Sequence, residues 1–239
     1  MRLDFHTHGK LAKKLPFSTV YTDWLFGEAR RAGLDALCLT EHFNTLHFDQ
    51  LYGYLSSVSC RREDVLELPN GLWIFPGMEP YKEKGQFLPF ASLLDLLKEY
   101  PVLVGCAHPY RPGGHVPQLP QSQLRRLDFL DLNGKDLALD RARTEALTYG
   151  LGQQLGIPVV SGSDTHQAVQ YGCVTTVLER ACTSLPALRE EMEAGRYEIQ
   201  LSDTAAAQVR TACLLKRSLK EIHALGGDYV SILTKGATA

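Results

Sequence analysis

Short apolar runs alternate with longer amphipathic ones along nearly all of the chain, an order that few folds accept. The apolar runs, read as strands, are Arg2–His6, Ala36–Thr40, Leu72–Gly77, Val102–Ala107, Phe129–Leu132, Pro158–Ser161, Val174–Leu178 and Tyr197–Leu201. Helical spacing fills the intervals at Thr22–Ala32, Phe48–Cys60, Ala91–Tyr100, Ser122–Arg126, Ala138–Leu155, Leu185–Ala194 and Thr204–Leu225. Gly33, Gly156 and Gly195 stand where three of these helices should stop. The alternation predicts βα units around a mainly parallel sheet, and seven or eight such units can close into a barrel. With 239 residues, the chain is expected to form a single α/β domain over 1–239, its tail from Gly226 to Ala239 frayed.

Five of the strands run out into motifs that carry possible metal ligands: Asp4-Phe5-His6-Thr7-His8, Leu39-Thr40-Glu41-His42, Gly77-Met78-Glu79-Pro80, Cys106-Ala107-His108-Pro109 and Ser163-Asp164-Thr165-His166. Nitrogen and carboxylate donors at the same end of several strands are how a barrel holds a divalent ion over its mouth. His6 and His8 have the period-two spacing that puts both side chains on one face of an extended segment. Asp164 and His166 repeat that spacing. Glu79 ends an apolar run, where an ionised carboxylate needs a partner, and a carboxylate can bridge two cations. Pro109 is expected to hold His108 extended. Glu41 should point away from its neighbour His42 and orient a ligand from behind. Taken singly, each motif has a plainer reading: loop or rim histidines, an Asx turn at Asp164, a cap at Glu79. Their joint occurrence favours a metal-dependent hydrolase.

Composition narrows the partners. A net charge of −2 and the lack of an aromatic-basic stripe argue against nucleic acid. No run approaches the roughly 18 apolar residues of a membrane span, and no leader precedes Asp4. Six cysteines without CxxC spacing read as reduced thiols. A cytoplasmic protein acting on a small soluble substrate is the expectation; oligomeric state is not readable.

In this order, the motifs resemble the PHP family, named for polymerase and histidinol phosphatase domains, over His6 to His166. The resemblance implies a distorted seven-stranded, TIM-like β/α barrel, a metal cluster at the strand C-termini and phosphoester hydrolysis, with a small phosphorylated metabolite as the substrate. It implies that His6, His8, Glu79 and Asp164 hold a first ion, that Glu79 bridges to a second with His108, and that His42 and His166 face a third. The ions would be Zn, Mn or Fe. Three departures bear on their number. No Asp or His occurs in Gly9–Pro16, no histidine lies between Glu79 and His108, and Glu41 stands where Asp is more usual. One ion at least, and two rather than three, are expected.

Lys10, Lys13 and Lys14 stand near the place of the missing acid, as replacements for a ligand, as charge for a phosphate, or as a solvated basic loop. Arg111 is the better phosphate clamp, because its planar fork can bind two oxygens. Tyr110, His115, Asn133 and Lys135 are lesser candidates. In the expected reaction the metals activate water for in-line attack on phosphorus, Arg111 offsets charge, and His42 or His166 protonates the leaving alkoxide. Two other classes remain: an amidohydrolase-type C–N hydrolase, and a catalytically decayed barrel kept as a binding or sensor module. Hydrolysis of a cyclic amide would favour the first, and absence of stoichiometric metal the second.

Overall fold

A computed structural model describes residues 1–43, 48–80, 90–111 and 119–236. The chain runs through β1 (Arg2–Thr7), α1 (Thr19–Arg31), β2 (Ala36–His42), α2 (Phe48–Val58), β3 (Cys60–Arg62), β4 (Val65–Glu67), β5 (Trp73–Glu79), α3 (Phe90–Leu97), β6 (Gly105–Cys106) and α4 (Gln121–Leu124). It continues through β7 (Phe129–Asn133), α5 (Gly134–Leu139), α6 (Arg141–Leu155), β8 (Val159–Gly162), β9 (Val174–Leu178), α7 (Leu185–Glu193), β10 (Tyr197–Leu201), α8 (Ala205–Ala224) and α9 (Tyr229–Gly236).

The fold is mixed α/β. A seven-stranded sheet has the order β10-β9-β1-β2-β5-β4-β3, and a three-stranded sheet the order β6-β7-β8. The central pairs β1–β2, β2–β5, β6–β7 and β7–β8 are parallel, as βα units require. The expected mainly parallel sheet is corrected at its edges, where β9, β10 and the β3–β4 hairpin all pair antiparallel. The hairpin was hidden by its charge. The expected helix Phe48–Cys60 took in Cys60, and Arg61-Arg62-Glu63-Asp64 carries no apolar run, yet charged residues are what an exposed edge strand carries.

No closed ring of hydrogen-bonded strands is present among the described residues; the strands form two sheets instead. The seam between β8 and β1 is nevertheless tight. The Asp164 N–H donates to the His6 carbonyl at 2.7 Å, the His8 N–H to the Thr165 carbonyl at 3.0 Å, and the Ser163 N–H to Asp4 Oδ1 at 2.9 Å. Gly162 permits the approach, because a Cβ there would fall 2.2 Å from the His6 Cβ and 2.6 Å from its backbone nitrogen. This seam sets the two His/Asp strand ends side by side.

Other boundaries moved for local reasons. The expected strand Val102–Ala107 pairs only at Gly105–Cys106. The expected helix Ala138–Leu155 is two helices, divided at Asp140, whose extended backbone ends α5 while its carboxylate caps Arg143 N of α6. Tyr229–Gly236, expected to be frayed, is helical, and buried Tyr229 packs against Tyr21 of α1. The core lies in three apolar groups. One, with Leu25, Phe26, Leu37, Leu51 and Ile74, seats α1 and α2 on β2 and β5. A second, with Leu130, Leu151, Val174 and Val209, seats α6 and α8. The third joins Leu3, Phe5, Phe75, Val160 and Leu188. Burial at about 25 cal/mol per Å² of apolar surface makes these groups the main support of the strand ends.

Candidate metal centre

All seven side chains that the sequence marks as metal ligands meet at one end of the strands. His6 and His8 leave β1 on the face that also carries Asp4, and all three are buried. β2 and β5 are in register with His42 opposite Glu79. His42 Nδ1 lies 2.8 Å from Glu79 Oε2, and His108 Nε2 lies 3.1 Å from Glu79 Oε1. His6 Nε2 and His8 Nε2 stand 3.7 and 3.9 Å from Glu79 Oε2. From the β8 end, Asp164 Oδ1 lies 3.3 Å from His8 Nε2 and 3.9 Å from His166 Nε2. The His8 and His166 rings stack at 4.1 Å.

Three groups of donors are compact enough for an ion: His6, His8 and Glu79; His6, His108 and Asp164; His8, His42 and His166, each set with its ligand atoms within 4.8 Å of one another. The donor chemistry fits a borderline divalent cation. Both ring nitrogens of His8 and Nε2 of His6 are buried without a hydrogen-bond partner among the described residues. Buried polar atoms are normally satisfied, so these orphans point to a ligand.

Backbone geometry tells the same story. Asp164 and His108 have φ of 58° and 35°, left-handed conformations that side chains rarely adopt. His108 is therefore not extended, as Pro109 led us to expect. The bend turns its imidazole to Glu79 and its N–H to Asp131 Oδ2, at 3.3 Å.

The electrostatics keep both carboxylates of the cluster ionised. Burial alone would raise the Glu79 carboxyl, but the neighbouring imidazoles of His108, His42 and His6 hold it far below the usual carboxylate range. Asp164 is likewise buried, yet Lys135 and His8 keep it well down. Burial opposes charge on His6, but Asp131 and Glu79 outweigh it and pull the ring toward its protonated form. His166 behaves oppositely: burial first, then the charges of His8, Lys216 and Lys135, push it well down. Its Nδ1 lies 2.8 Å from the Lys10 carbonyl, which can only accept, so Nδ1 carries the proton and Nε2 the lone pair.

A cavity of about 290 Å³ opens over the cluster, lined by Lys13, His42, Glu79, His108, Arg111, Lys135, Asp164 and His166. Of the three basic-loop lysines, Lys13 lines it, Lys14 is exposed and outside the lining, and Lys10 is buried, 2% exposed. Arg111 is committed on three sides: Nε to Asp136 at 2.9 Å, Nη1 to Asp164 at 2.8 Å and Nη2 to Asn133 at 2.7 Å. Its fork holds Asp164 first, and among the described residues three of its five N–H groups are engaged. His115 lies outside the described residues.

Sequence reasoning missed Asp131. Its Oδ2 accepts from His6 Nδ1 at 3.0 Å and from Asn133 Nδ2 at 2.9 Å, and its Oδ1 from Gly162 N at 3.0 Å. The signal was present, since a carboxylate inside Phe129-Leu130-Asp131-Leu132 needs a buried partner as much as Glu79 does. Glu41 is buried behind the cluster as expected, 3.0 Å from the His42 N–H and 3.8 Å from His8 Nδ1.

Among the described residues no helix is long and apolar enough to cross a membrane, and all six cysteines are free. The buried His, Asp and Glu groups are compatible with a metal-dependent hydrolase. No protein-family model matches the chain, and no curated protein matches it. Among solved structures the chain is similar to PsfC from Pseudomonas syringae, at 20% identity over 91% of this chain and 98% of that one, with a TM-score of 0.70. It is also similar to the lesion-specific endonuclease PfuEndoQ from Pyrococcus furiosus, at 15% identity over 83% of this chain and 58% of that one, with a TM-score of 0.55. At these identities the likenesses show a shared fold.

Proposed function

We propose that this chain is a metal-dependent phosphoesterase of the PHP type, hydrolysing small phosphate monoesters on a single, distorted and incompletely closed β/α barrel. One observation carries the reading: seven His, Glu and Asp side chains from five strand ends converge, with three buried imidazole nitrogens lacking any hydrogen-bond partner among the described residues. The tight β8–β1 seam supports the barrel. Lysine and arginine side chains around a cavity of about 290 Å³, near the small end of ligand sites, support a small anionic substrate over a polymer.

Residues His6, His8, Glu79, His108 and Asp164 would hold one or two divalent ions, Zn, Mn or Fe, with His42 and His166 beside them. Ions bound there lower the pKa of water and offset charge on phosphoryl oxygens. Arg111 fixes Asp164 and turns its remaining N–H groups toward the phosphate, while Lys13 adds charge from the opposite loop. His166, with its proton on Nδ1, offers Nε2 as a ligand rather than as an acid. His42, at the cavity wall with its Nδ1 against Glu79, is then the residue to give a proton to the leaving alkoxide.

Protein loaded with Mn or Zn and assayed against a panel of phosphate monoesters and cyclic amides tests this reading. Monoester turnover is expected. Turnover of cyclic amides without phosphatase activity would overturn it.

A further inference from the structure

Asp164 bears two cationic side chains at once. Arg111 Nη1 lies 2.8 Å from Oδ2, and Lys135 Nζ lies 2.8 Å from Oδ1. The two are held differently. The Arg111 guanidinium is pinned at three corners by Asp136, Asp164 and Asn133, and a planar fork so held is fixed in place. Lys135 is rooted at the start of α5, where its backbone N–H donates to Asn133 Oδ1 at 3.0 Å. Its ammonium, on a flexible four-carbon stem, meets Asp164 as its one carboxylate partner among the described residues.

Oδ1 of Asp164 is contested ground. It also faces Nε2 of His8 at 3.3 Å and Nε2 of His166 at 3.9 Å. An ion drawn to that oxygen and those imidazoles would stand against the Lys135 ammonium, and like charges at such range repel strongly where water is excluded. Lys216 of α8 is near enough to Lys135 for their charges to repel as well. Lys135 lines the cavity, so a side chain leaving Oδ1 has open space before it.

We infer that Lys135 is an exchangeable cation on Asp164, yielding Oδ1 to a divalent ion and, once released, offering its ammonium to a phosphoryl oxygen at the cavity mouth. Metal uptake and phosphate binding are thereby coupled through one side chain: both need it off Oδ1, and phosphate alone needs its charge. The inference rests on the metal site proposed above.

Lys135→Met keeps the length of the stem and removes the charge, and Lys135→Gln serves as a second variant. Calorimetric titration of the metal-free full chain with Mn²⁺ should show binding about tenfold tighter in both variants, within the usual range of coupling between sites. Inorganic phosphate titrated into the Mn-loaded proteins should bind about tenfold more weakly than to the wild type. Mn²⁺ affinity that is equal or weaker in the folded variants, or phosphate affinity that is unchanged, would overturn the inference while leaving the metal site intact. A wild-type chain that takes up no ion would overturn the site itself, and this inference with it.

Discussion

Asp131 Oδ2 lies 3.0 Å from His6 Nδ1, and this contact decides which nitrogen of His6 faces the cavity. An ionised carboxylate only accepts, so Nδ1 keeps its proton and Nε2 is the nitrogen that presents a lone pair once deprotonated. Gly162 N and Asn133 Nδ2 hold the carboxylate in turn. Asp131→Ala should therefore weaken metal binding by about 10- to 100-fold, the usual effect of losing such an orienting partner. Calorimetric titration with Mn or Zn measures it, and an unchanged affinity would remove Asp131 from the account.

Gly162 is the hinge of the β8–β1 seam. A methyl group there would meet the backbone nitrogen of His6 at 2.6 Å, so relief requires the strands to part. Gly162→Ala should cost about 1–3 kcal/mol of stability, as overpacking does, and should lower metal content. Denaturant unfolding together with elemental analysis checks both. A stable variant with full metal content would show the seam to be slack.

Lys216 gives a pH-dependent prediction with a definite sign. Burial first, then the nearby Lys135 charge, push its ammonium down to about 7. An unfolded lysine titrates near 10.4. Between these values the unfolded chain binds a proton that the folded one does not, so stability rises as pH climbs from about 7 toward 10. Below about 7 both states are protonated and the cost is constant. Lys216→Met should raise the melting temperature at neutral pH, with the gain fading as pH approaches about 10.4. A gain that is independent of pH would place Lys216 in solvent.

Much of this was legible in the sequence, and the rest was not, for physical reasons. Strand ends announce themselves when an apolar run stops at His, Glu or Asp, and so the convergence of His6, His8, His42, Glu79, His108, Asp164 and His166 could be anticipated. Period-two spacing placed the β1 and β8 pairs. Local pattern is silent on what a side chain meets across the fold. Arg111 read as a free fork, while Asp136, Asn133 and Asp164, distant in sequence, hold it. Asp131 was hidden inside a strand, and its partner His6 lies 125 residues away. The antiparallel edges escaped for a related reason, since β9 and β10 look like any apolar run until their direction is known. The left-handed turn at His108 set a local preference before proline against the pull of Glu79 and Asp131, and the cluster won.

Metal content tests the central claim most directly. Wild type, His8→Ala and Asp164→Ala should be purified, incubated with Mn²⁺ or Zn²⁺, freed of excess ion and measured by elemental analysis. The convergence of His8 and Asp164, 3.3 Å apart beneath the cavity, predicts stoichiometric ion in the wild type and its loss in both variants. A wild-type chain without stoichiometric ion, or variants that keep it in full, would contradict the account.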